Sequence, residues 1–239
     1  MGQEFPLDRG LRRLYYPLVA IGLSWAAAAC AHYESIAPEN LGPLPPATAA
    51  SWVREFTPAR SMRISLRWRF ENQKGKSGGR AVVRVAPPDT LRFDYRGPFG
   101  KSGSAVVVGG SALWARPAQD FENLIPIAPL FWAALGIATA PPDGAQILGL
   151  DGPERRVWRY VVGGEELDFV HIRGPEERLL AQLRYRGRIL GVSEVLFEGK
   201  SRNPVRATMV FPPDASRFSF TIEAIDTVAA FDPETWQQT

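Results

Sequence analysis

The chain has 239 residues, of which 45% are hydrophobic, enough to bury one sizeable core. Its 28 lysines and arginines are interleaved with 25 aspartates and glutamates, so the net charge is only +3 and the composition argues against a nucleic-acid-binding protein. The single cysteine, Cys30, excludes a disulfide within one chain. We interpret the arginines as the solvated face of β-strands.

The amino-terminal segment has the order of parts of a secretory signal. Arginines at positions 9, 12 and 13 precede the apolar residues 14–29, which end in four alanines before Cys30. A transmembrane helix usually needs about 20 apolar residues, so an uncleaved anchor stays an alternative. We therefore predict that residues 1–29 are a signal peptide.

The end of this segment resembles the lipobox of bacterial lipoproteins, in which the cysteine after small residues is acylated and becomes the first residue. The resemblance implies that Cys30 is lipidated and attaches the protein to membrane lipid. Ala31 follows Cys30 where an aspartate would imply retention at the inner membrane. The resemblance therefore implies the outer membrane, with the protein on its periplasmic face. An ordinary signal peptide with an incidental cysteine is the alternative.

Residues 30–46 have the composition of a tether. Four prolines, at positions 38, 43, 45 and 46, predict an extended and semi-rigid segment. A short helix is predicted over residues 47–56, and Pro58 ends it. Residues 47–239 are predicted to form one domain.

Strict alternation marks the strand that follows. Residues 62, 64, 66, 68 and 70 are apolar, while Arg63, Arg67 and Arg69 lie between them, which is typical of a strand between an interior and water. The turns that follow are spaced as in hairpins, which predicts an antiparallel meander of about eleven or twelve strands. Besides residues 62–70, the predicted strands are 80–86, 91–96, 104–108, 111–116, 145–150, 155–162, 166–173, 179–186, 189–198, 205–211 and 217–224.

A turn with a large apolar residue at its tip joins the strands at 91–96 and 104–108. It reads Gly97-Pro98-Phe99-Gly100, whereas turn tips normally carry small or polar residues. We expect Phe99 to meet an apolar surface, either a membrane or a pocket on a partner. The alternative is that the loop folds back and Phe99 packs on the sheet edge.

Residues 123–138 are apolar almost throughout, and Pro126 and Pro129 exclude a single regular helix. A turn followed by a short helix over residues 129–135 is predicted. Because a helix that is apolar on every side is buried or covers an apolar surface, this helix is a candidate lid.

Two segments carry a resemblance to a known family: residues 91–108 with their Gly-Pro-Phe-Gly turn, and the apolar segment ending in Ala134-Leu135-Gly136. They resemble the LolA/LolB family of bacterial lipoprotein carriers and receptors, most of all the outer-membrane receptor LolB. The resemblance implies a mainly β fold, a curved antiparallel half-barrel with a short helical lid over an apolar cavity. In that family the cavity takes the acyl chains of lipoproteins crossing the periplasm.

The family resemblance also implies a role for the Phe99 loop and for a partner. The family has Gly/Asn-Pro-Leu-Gly where this chain has Gly97, Pro98, Phe99 and Gly100, and its bulky residue assists insertion into the membrane. The cargo would be an acylated lipoprotein or lipid, and a soluble LolA-like carrier is a possible partner.

Large apolar residues on the predicted inner face are candidates for lining this cavity. Aromatic residues on the inner face of a sheet are usually core, so a cavity and a packed core both stay open. The candidates are Trp68, Phe70, Phe93, Trp114, Phe131, Trp132 and Leu135.

Catalytic or metal-binding chemistry is not indicated. On a strand, His171 shares a face with Glu165 but not with Asp168, so at most two ligands converge. We expect a solvated strand edge there, and a protein that is not an enzyme and holds no metal or cofactor.

Two functions are therefore predicted as alternatives. The first is an outer-membrane lipoprotein that binds acyl chains in an apolar cavity and assists their transfer into the membrane. The second is an envelope lipoprotein of the same fold that acts as a protein-interaction or sensing module. Bound lipid after gentle purification would separate them.

Overall fold

The computed structural model describes residues 34–118, 128–199 and 202–238, so the predicted signal peptide and Cys30 lie outside the described residues. Within these ranges, thirteen strands and two α-helices are present. The helices are α1 (Pro46–Glu55) and α2 (Ala128–Ala134). The strands are β1 (Gly42–Pro43), β2 (Ser61–Asn72), β3 (Gly75–Ala86), β4 (Thr90–Arg96), β5 (Ser102–Val108), β6 (Ser111–Arg116), β7 (Gln146–Asp151), β8 (Arg155–Val162), β9 (Glu165–Ile172), β10 (Arg178–Tyr185), β11 (Arg188–Glu198), β12 (Asn203–Phe211) and β13 (Ser216–Val228).

All described strands belong to one open antiparallel sheet, in the order β1-β7-β8-β9-β10-β11-β12-β13-β2-β3-β4-β5-β6. Two meanders, β2–β6 and β7–β13, are therefore joined by the pairing of the last strand with β2. The predicted mainly β fold with antiparallel meanders is confirmed. The strand beyond the predicted twelve is β1, which lies in the segment predicted as a tether.

One face of the sheet carries the core, and we call it the concave face. A single apolar cluster on this face runs from Ile147 of β7 to Ala105 of β5, so both ends of the sheet curve toward one interior. In β2 the alternation works as predicted, because Ile64, Leu66 and Trp68 are buried there while the arginines between them lie on the opposite, convex face. The curved half-barrel is therefore confirmed.

Both helices lie on the concave face. Helix α1 begins at Pro46, in the position where a missing N–H costs nothing, and buries Ala49, Trp52 and Val53. The predicted helix over residues 47–56 is thus confirmed. The compact unit Ser35–Thr239 contains all of the described core.

Part of the predicted tether packs on the sheet. Ala37 is buried on the convex face against Val157 and Val170, and the chain then passes the sheet edge, where Gly42–Pro43 pairs with β7. Leu44 continues onto the concave face. An apolar residue every few positions among the prolines explains why this segment adheres to the sheet.

The convex face is also covered at its other end. Residues 231–238, which contain the 3-10 turn Pro233–Trp236, lie on β4–β6, and we call them the C-terminal clasp. In the parts of the chain that the structure describes, no helix is both long enough and apolar enough to cross a membrane.

Candidate functional site

Helix α2 is the central feature of the concave face. Its sequence, Ala-Pro-Leu-Phe-Trp-Ala-Ala, contains no polar side chain except the indole N–H of Trp132, and all of its residues but Pro129 are buried. It packs on β10, β11 and β12. Gly191 of β11 allows this close approach, since a Cβ there would lie 2.6 Å from Cδ1 of Leu130. The predicted lid helix is confirmed as a helix covering the sheet.

The other side of α2 faces the opposite half of the sheet. The ring of Phe131 makes edge contacts with Phe93 of β4 at 5.4 Å and with Phe220 of β13 at 5.7 Å between centroids. Trp132 Nε1 donates a hydrogen bond to the main-chain oxygen of Gly109 at 3.3 Å. The helix is therefore held in place mainly by apolar contacts.

A group of aromatic rings, which we call the rim cluster, lies near one end of the concave face. It comprises Trp68, Phe70, Tyr95 and Phe218. Trp68 contacts Tyr95 at 5.8 Å and stacks on Phe218 at 5.7 Å, and the latter also contacts Phe70. Trp68 is buried, whereas the other three rings are half-buried. The rim cluster is therefore the aromatic part of the interior that reaches solvent.

Trp68 lies directly beneath the loop that carries Phe99. A Cβ on Gly97 would be 3.5 Å from Cζ2 of Trp68, so the glycine allows the loop to rest on the indole ring. The indole Nε1 is buried and has no hydrogen-bond partner among the described residues. A buried donor without a partner costs free energy, which makes this atom a candidate contact for a ligand acceptor.

The loop presents Phe99 to solvent. The Phe99 side chain is 100% exposed, and its backbone has φ 56° and ψ 32°, in the left-handed region that a bulky residue seldom adopts. Gly97 N donates to Lys101 O at 2.7 Å and closes the loop. The fold-back alternative, with Phe99 on the sheet edge, is therefore wrong. Membrane insertion of Phe99 stays a prediction.

Trp114 was predicted to line the interior, and this is wrong. The register pairs Val106 with Trp114 but Val107 with Ala112, so Leu113 is an extra, bulged residue and Trp114 faces the convex side. There Trp114 Nε1 donates to Trp236 O at 2.8 Å, and the Arg92 guanidinium lies 5.3 Å from the ring. The C-terminal clasp thus covers Trp114.

The other cavity candidates come together on the concave face. Trp68, Phe93, Phe131, Trp132 and Leu135 belong to one buried cluster, and Phe70 packs against it. These side chains pack together around α2, and the ring of Phe131 contacts that of Phe93. That these residues line a ligand cavity stays a prediction.

His171 is not on a solvated strand edge, and this expectation is wrong. Strand β9 pairs with β8 and β10, and His171 is fully buried, with its ring 4.9 Å from that of Phe56. Its Nε2 lies 2.7 Å from Oε1 of Glu177. Burial lowers the pKa of His171, although the Glu177 carboxylate acts in the opposite direction.

An ion-pair network near His171 fixes the end of helix α1. Glu55 of α1 pairs with Arg156 of β8 at 2.8 Å and with Arg202 at 3.6 Å, and Arg202 pairs in turn with Glu177 at 2.8 Å. Sequence reasoning missed this network because its members are far apart along the chain. No periodicity connects them.

A second charged group was also missed, on the convex face of β8–β10. Asp168 is fully buried and accepts hydrogen bonds from Arg159 Nη2 at 3.2 Å and Arg184 Nη2 at 3.0 Å. Ile36 N, from the segment predicted as a tether, donates to the neighbouring Gln182 Oε1 at 3.4 Å. Among the residues that the structure describes, no group of three histidine, cysteine or acidic side chains is arranged to hold a metal ion.

Comparison with known proteins gives a likeness of fold. No protein-family model and no curated protein matches the chain. A LolA superfamily protein from Nitrosomonas europaea matches with 10% identity over 82% of this chain and 98% of its own, at a TM-score of 0.48. A domain described as an outer membrane lipoprotein-sorting protein, from Vibrio parahaemolyticus, matches with 7% identity over 78% and 94%, at a TM-score of 0.44.

MucB matches with 13% identity and a TM-score of 0.37, and the alignment covers 81% of this chain but 63% of MucB. The first two of these neighbours are described as LolA superfamily and lipoprotein-sorting proteins. The likeness is one of fold.

Proposed function

We propose that this protein is an outer-membrane lipoprotein, anchored through Cys30, that binds acyl chains of lipids or lipoproteins on its concave face and assists their transfer into the membrane. The observation that carries the proposal is the way α2 is held. Apolar side chains provide nearly all of its contacts, together with one hydrogen bond from Trp132. An acyl chain can reproduce apolar contacts, so it can take the place of α2.

The magnitudes allow such an exchange. Burying Leu130, Phe131 and Trp132 stabilises the closed form by about 1.5–3 kcal/mol each, or about 5–9 kcal/mol together. An acyl chain of about 16 carbons gains about 0.8 kcal/mol per buried CH₂, or about 12 kcal/mol. One chain of about 16 carbons is therefore enough to offset the displacement of α2, with a surplus of about 3–7 kcal/mol.

The rim cluster supplies a place for the polar end of the ligand. Trp68 Nε1 is a buried donor without a partner, and the ester or amide carbonyl that heads an acyl chain is an acceptor. The exposed Phe99 lies on the loop above Trp68 and enters the membrane during release, with Lys101 directed to anionic headgroups. A soluble LolA-like carrier would deliver the cargo at this end.

Tryptophan fluorescence and calorimetry test the proposal with palmitic acid and a dipalmitoylated lipopeptide as probes. Displacing α2 exposes Trp132, so the emission of residues 31–239 is expected to shift to longer wavelength on binding. Trp132→Phe is the matched variant, which keeps the heat of binding and loses most of the shift. Absence of heat and of any shift at about 100 μM of both probes, with the protein folded, would contradict the proposal.

A protein-interaction function is the second candidate, and one observation favours it. Strand β6 is at the end of the sheet order, and the bulged Leu113 on it is 64% exposed. A partner could add an extended strand along β6 and cover Leu113. Mass spectrometry of organic extracts from gently purified protein separates the two functions, because the second needs no bound lipid.

A further inference from the structure

The middle of the convex face carries two rows of arginines that face one another across strands. Arg67 of β2 is paired with Arg80 of β3, which is paired with Arg96 of β4, and we call these three the loop row. Arg63, Arg84 and Arg92 are paired in the same way and form the clasp row. Like charges directly opposite on neighbouring strands destabilise a sheet, so each row requires an explanation.

Two arginines of the clasp row are compensated within the protein, whereas Arg63 is exposed and forms no ion pair with any residue that the structure describes. Asp94 of β4 pairs with both Arg84 and Arg92, and the latter guanidinium also donates to Thr235 O at 2.6 Å. The Arg92 side chain is only 11% exposed, since the C-terminal clasp covers it. Arg92 therefore attaches the C-terminal clasp to the sheet.

The loop row also shares one carboxylate between two of its arginines, but its side chains stay in solvent. Glu223 is shared by Arg67 at 2.8 Å and Arg80 at 3.7 Å, and Arg96 forms no ion pair with any residue that the structure describes. The side chains of Arg67 and Arg80 are 65% and 74% exposed, and Arg96 is exposed as well. The row thus keeps an excess of positive charge in solvent, at a cost to the sheet.

Neighbouring strands lie about 4.7–4.9 Å apart, so the row presents three guanidinium groups in close succession. A guanidinium group binds phosphate oxygens in pairs and is the preferred side chain for planar recognition of phosphate. We propose that the loop row binds the phosphate groups of an anionic phospholipid bilayer. This inference does not depend on acyl-chain binding in the interior.

The neighbouring loop favours a bilayer over other polyanions. Arg96 directly precedes Gly97, and the fully exposed Phe99 and Lys101 follow within a few residues. A bilayer is a partner that offers a plane of phosphates beside an apolar interior. Residues 36–41 and the C-terminal clasp cover the convex face on either side, and the loop row lies in the part left open.

Vesicle co-sedimentation tests the inference with residues 31–239, which contain the whole described core and lack the residue predicted to be acylated. The vesicles consist of phosphatidylcholine alone or with about 30 mol% phosphatidylglycerol. The test variant is Arg67→Gln/Arg80→Gln/Arg96→Gln. The matched control, Arg54→Gln/Arg155→Gln/Arg188→Gln, removes the same charge from exposed arginines elsewhere.

The unaltered protein is expected to bind the anionic vesicles more tightly than the neutral ones, and less tightly as salt is added. The loop-row variant should lose about 100-fold in affinity, or about fivefold per arginine, and the control far less. Equal losses in the two variants, or equal binding to both vesicles, would overturn the inference. So would tight binding to a double-stranded oligonucleotide without any binding to vesicles.

Circular dichroism serves as the control that a loss of vesicle affinity is not due to unfolding of the variant. Removing three opposed charges from one face is expected to leave the melting temperature of the loop-row variant unchanged or raised. Should that variant unfold, Arg96→Gln alone gives the test, because Arg96 takes part in no described ion pair. If the affinity of Arg96→Gln for anionic vesicles did not fall, the inference would be overturned.

Discussion

The indole Nε1 of Trp114 donates to the main-chain oxygen of Trp236 at 2.8 Å, on the face of the sheet opposite to the core. Trp114→Phe keeps an aromatic side chain but removes this donor and part of the packing area, so it should lower the free energy of unfolding by at least about 0.5–1.5 kcal/mol. Urea unfolding measures this change in the free energy of unfolding. Because Trp114 lies outside the concave face, palmitic acid binding should be unchanged, and a loss of binding at unchanged stability would contradict this placement.

Gly136 ends helix α2 with φ +81°, and a Cβ there would lie 2.8 Å from Cε1 of Phe197. Gly136→Ala therefore meets both backbone strain, about 1–2 kcal/mol, and a clash with a buried ring. Gly187→Ala is the matched control, since Gly187 has φ +77° with open space around it. Thermal unfolding should show a larger decrease in melting temperature for Gly136→Ala. Equal decreases would mean that the Phe197 ring can move aside without destabilising the protein.

Phe99 has no packing contact to lose. Phe99→Glu is expected to change the free energy of unfolding by no more than about 0.5 kcal/mol while impairing transfer of a lipidated cargo to liposomes. Leu113→Glu, at another exposed apolar position, is the control and should leave transfer intact. A large fall in melting temperature for Phe99→Glu, with transfer unchanged per folded molecule, would show that Phe99 is part of the core in solution.

His171 should make stability depend on pH. Burial lowers its folded-state pKa below the ordinary 6.5, so between these two values the unfolded chain binds more protons than the folded one. Stability is therefore complete above about pH 6.5 and falls as the pH is lowered toward the folded-state pKa.

The charged groups that act on His171 are Glu177, Arg202 and Arg173. His171→Gln removes the titrating group and retains a side chain that can hydrogen-bond Glu177. Urea unfolding between about pH 5 and 8 should show a smaller slope for this variant. Parallel curves for the two proteins would assign the acid sensitivity to other groups.

Asp168 holds two arginines in place where water does not reach. Asp168→Ala leaves Arg159 buried without its partner, so a loss of about 3–5 kcal/mol in the free energy of unfolding is expected. Glu166→Ala, at a partly exposed position in the same group, should cost less than about 1 kcal/mol. Similar losses for both variants would indicate that water reaches Asp168.

The local parts of the fold could be predicted from the sequence. The alternation from Met62 to Phe70 determines a half-buried strand, and glycine and proline turns separate the strands that follow. Pro46 and Pro58 bracket helix α1 for reasons that lie within a few residues. These signals lie within a few residues of one another, so they can be read without knowing which strands pair.

The sequence could not decide the register between neighbouring strands. Alternation puts Trp114 and Leu113 on different faces, but a bulge decides which of them points inward, and it is visible only against Val106 and Val107 of the partner strand. His171 was likewise predicted to be solvated, because the sequence does not show that Phe56 of the distant residues 46–56 packs on its ring. The opposed arginines of the loop row depend on register in the same way.

The pairing of β13 with β2 joins residues 216–228 to residues 61–72, and it is the only link between the two described meanders through the sheet. The sheet can therefore be completed only after the last strand has become available. Contacts between residues so distant along the chain form slowly. During that delay the edge of β2 that later pairs with β13 stays open, so a partly folded chain presents an unpaired strand edge to other chains.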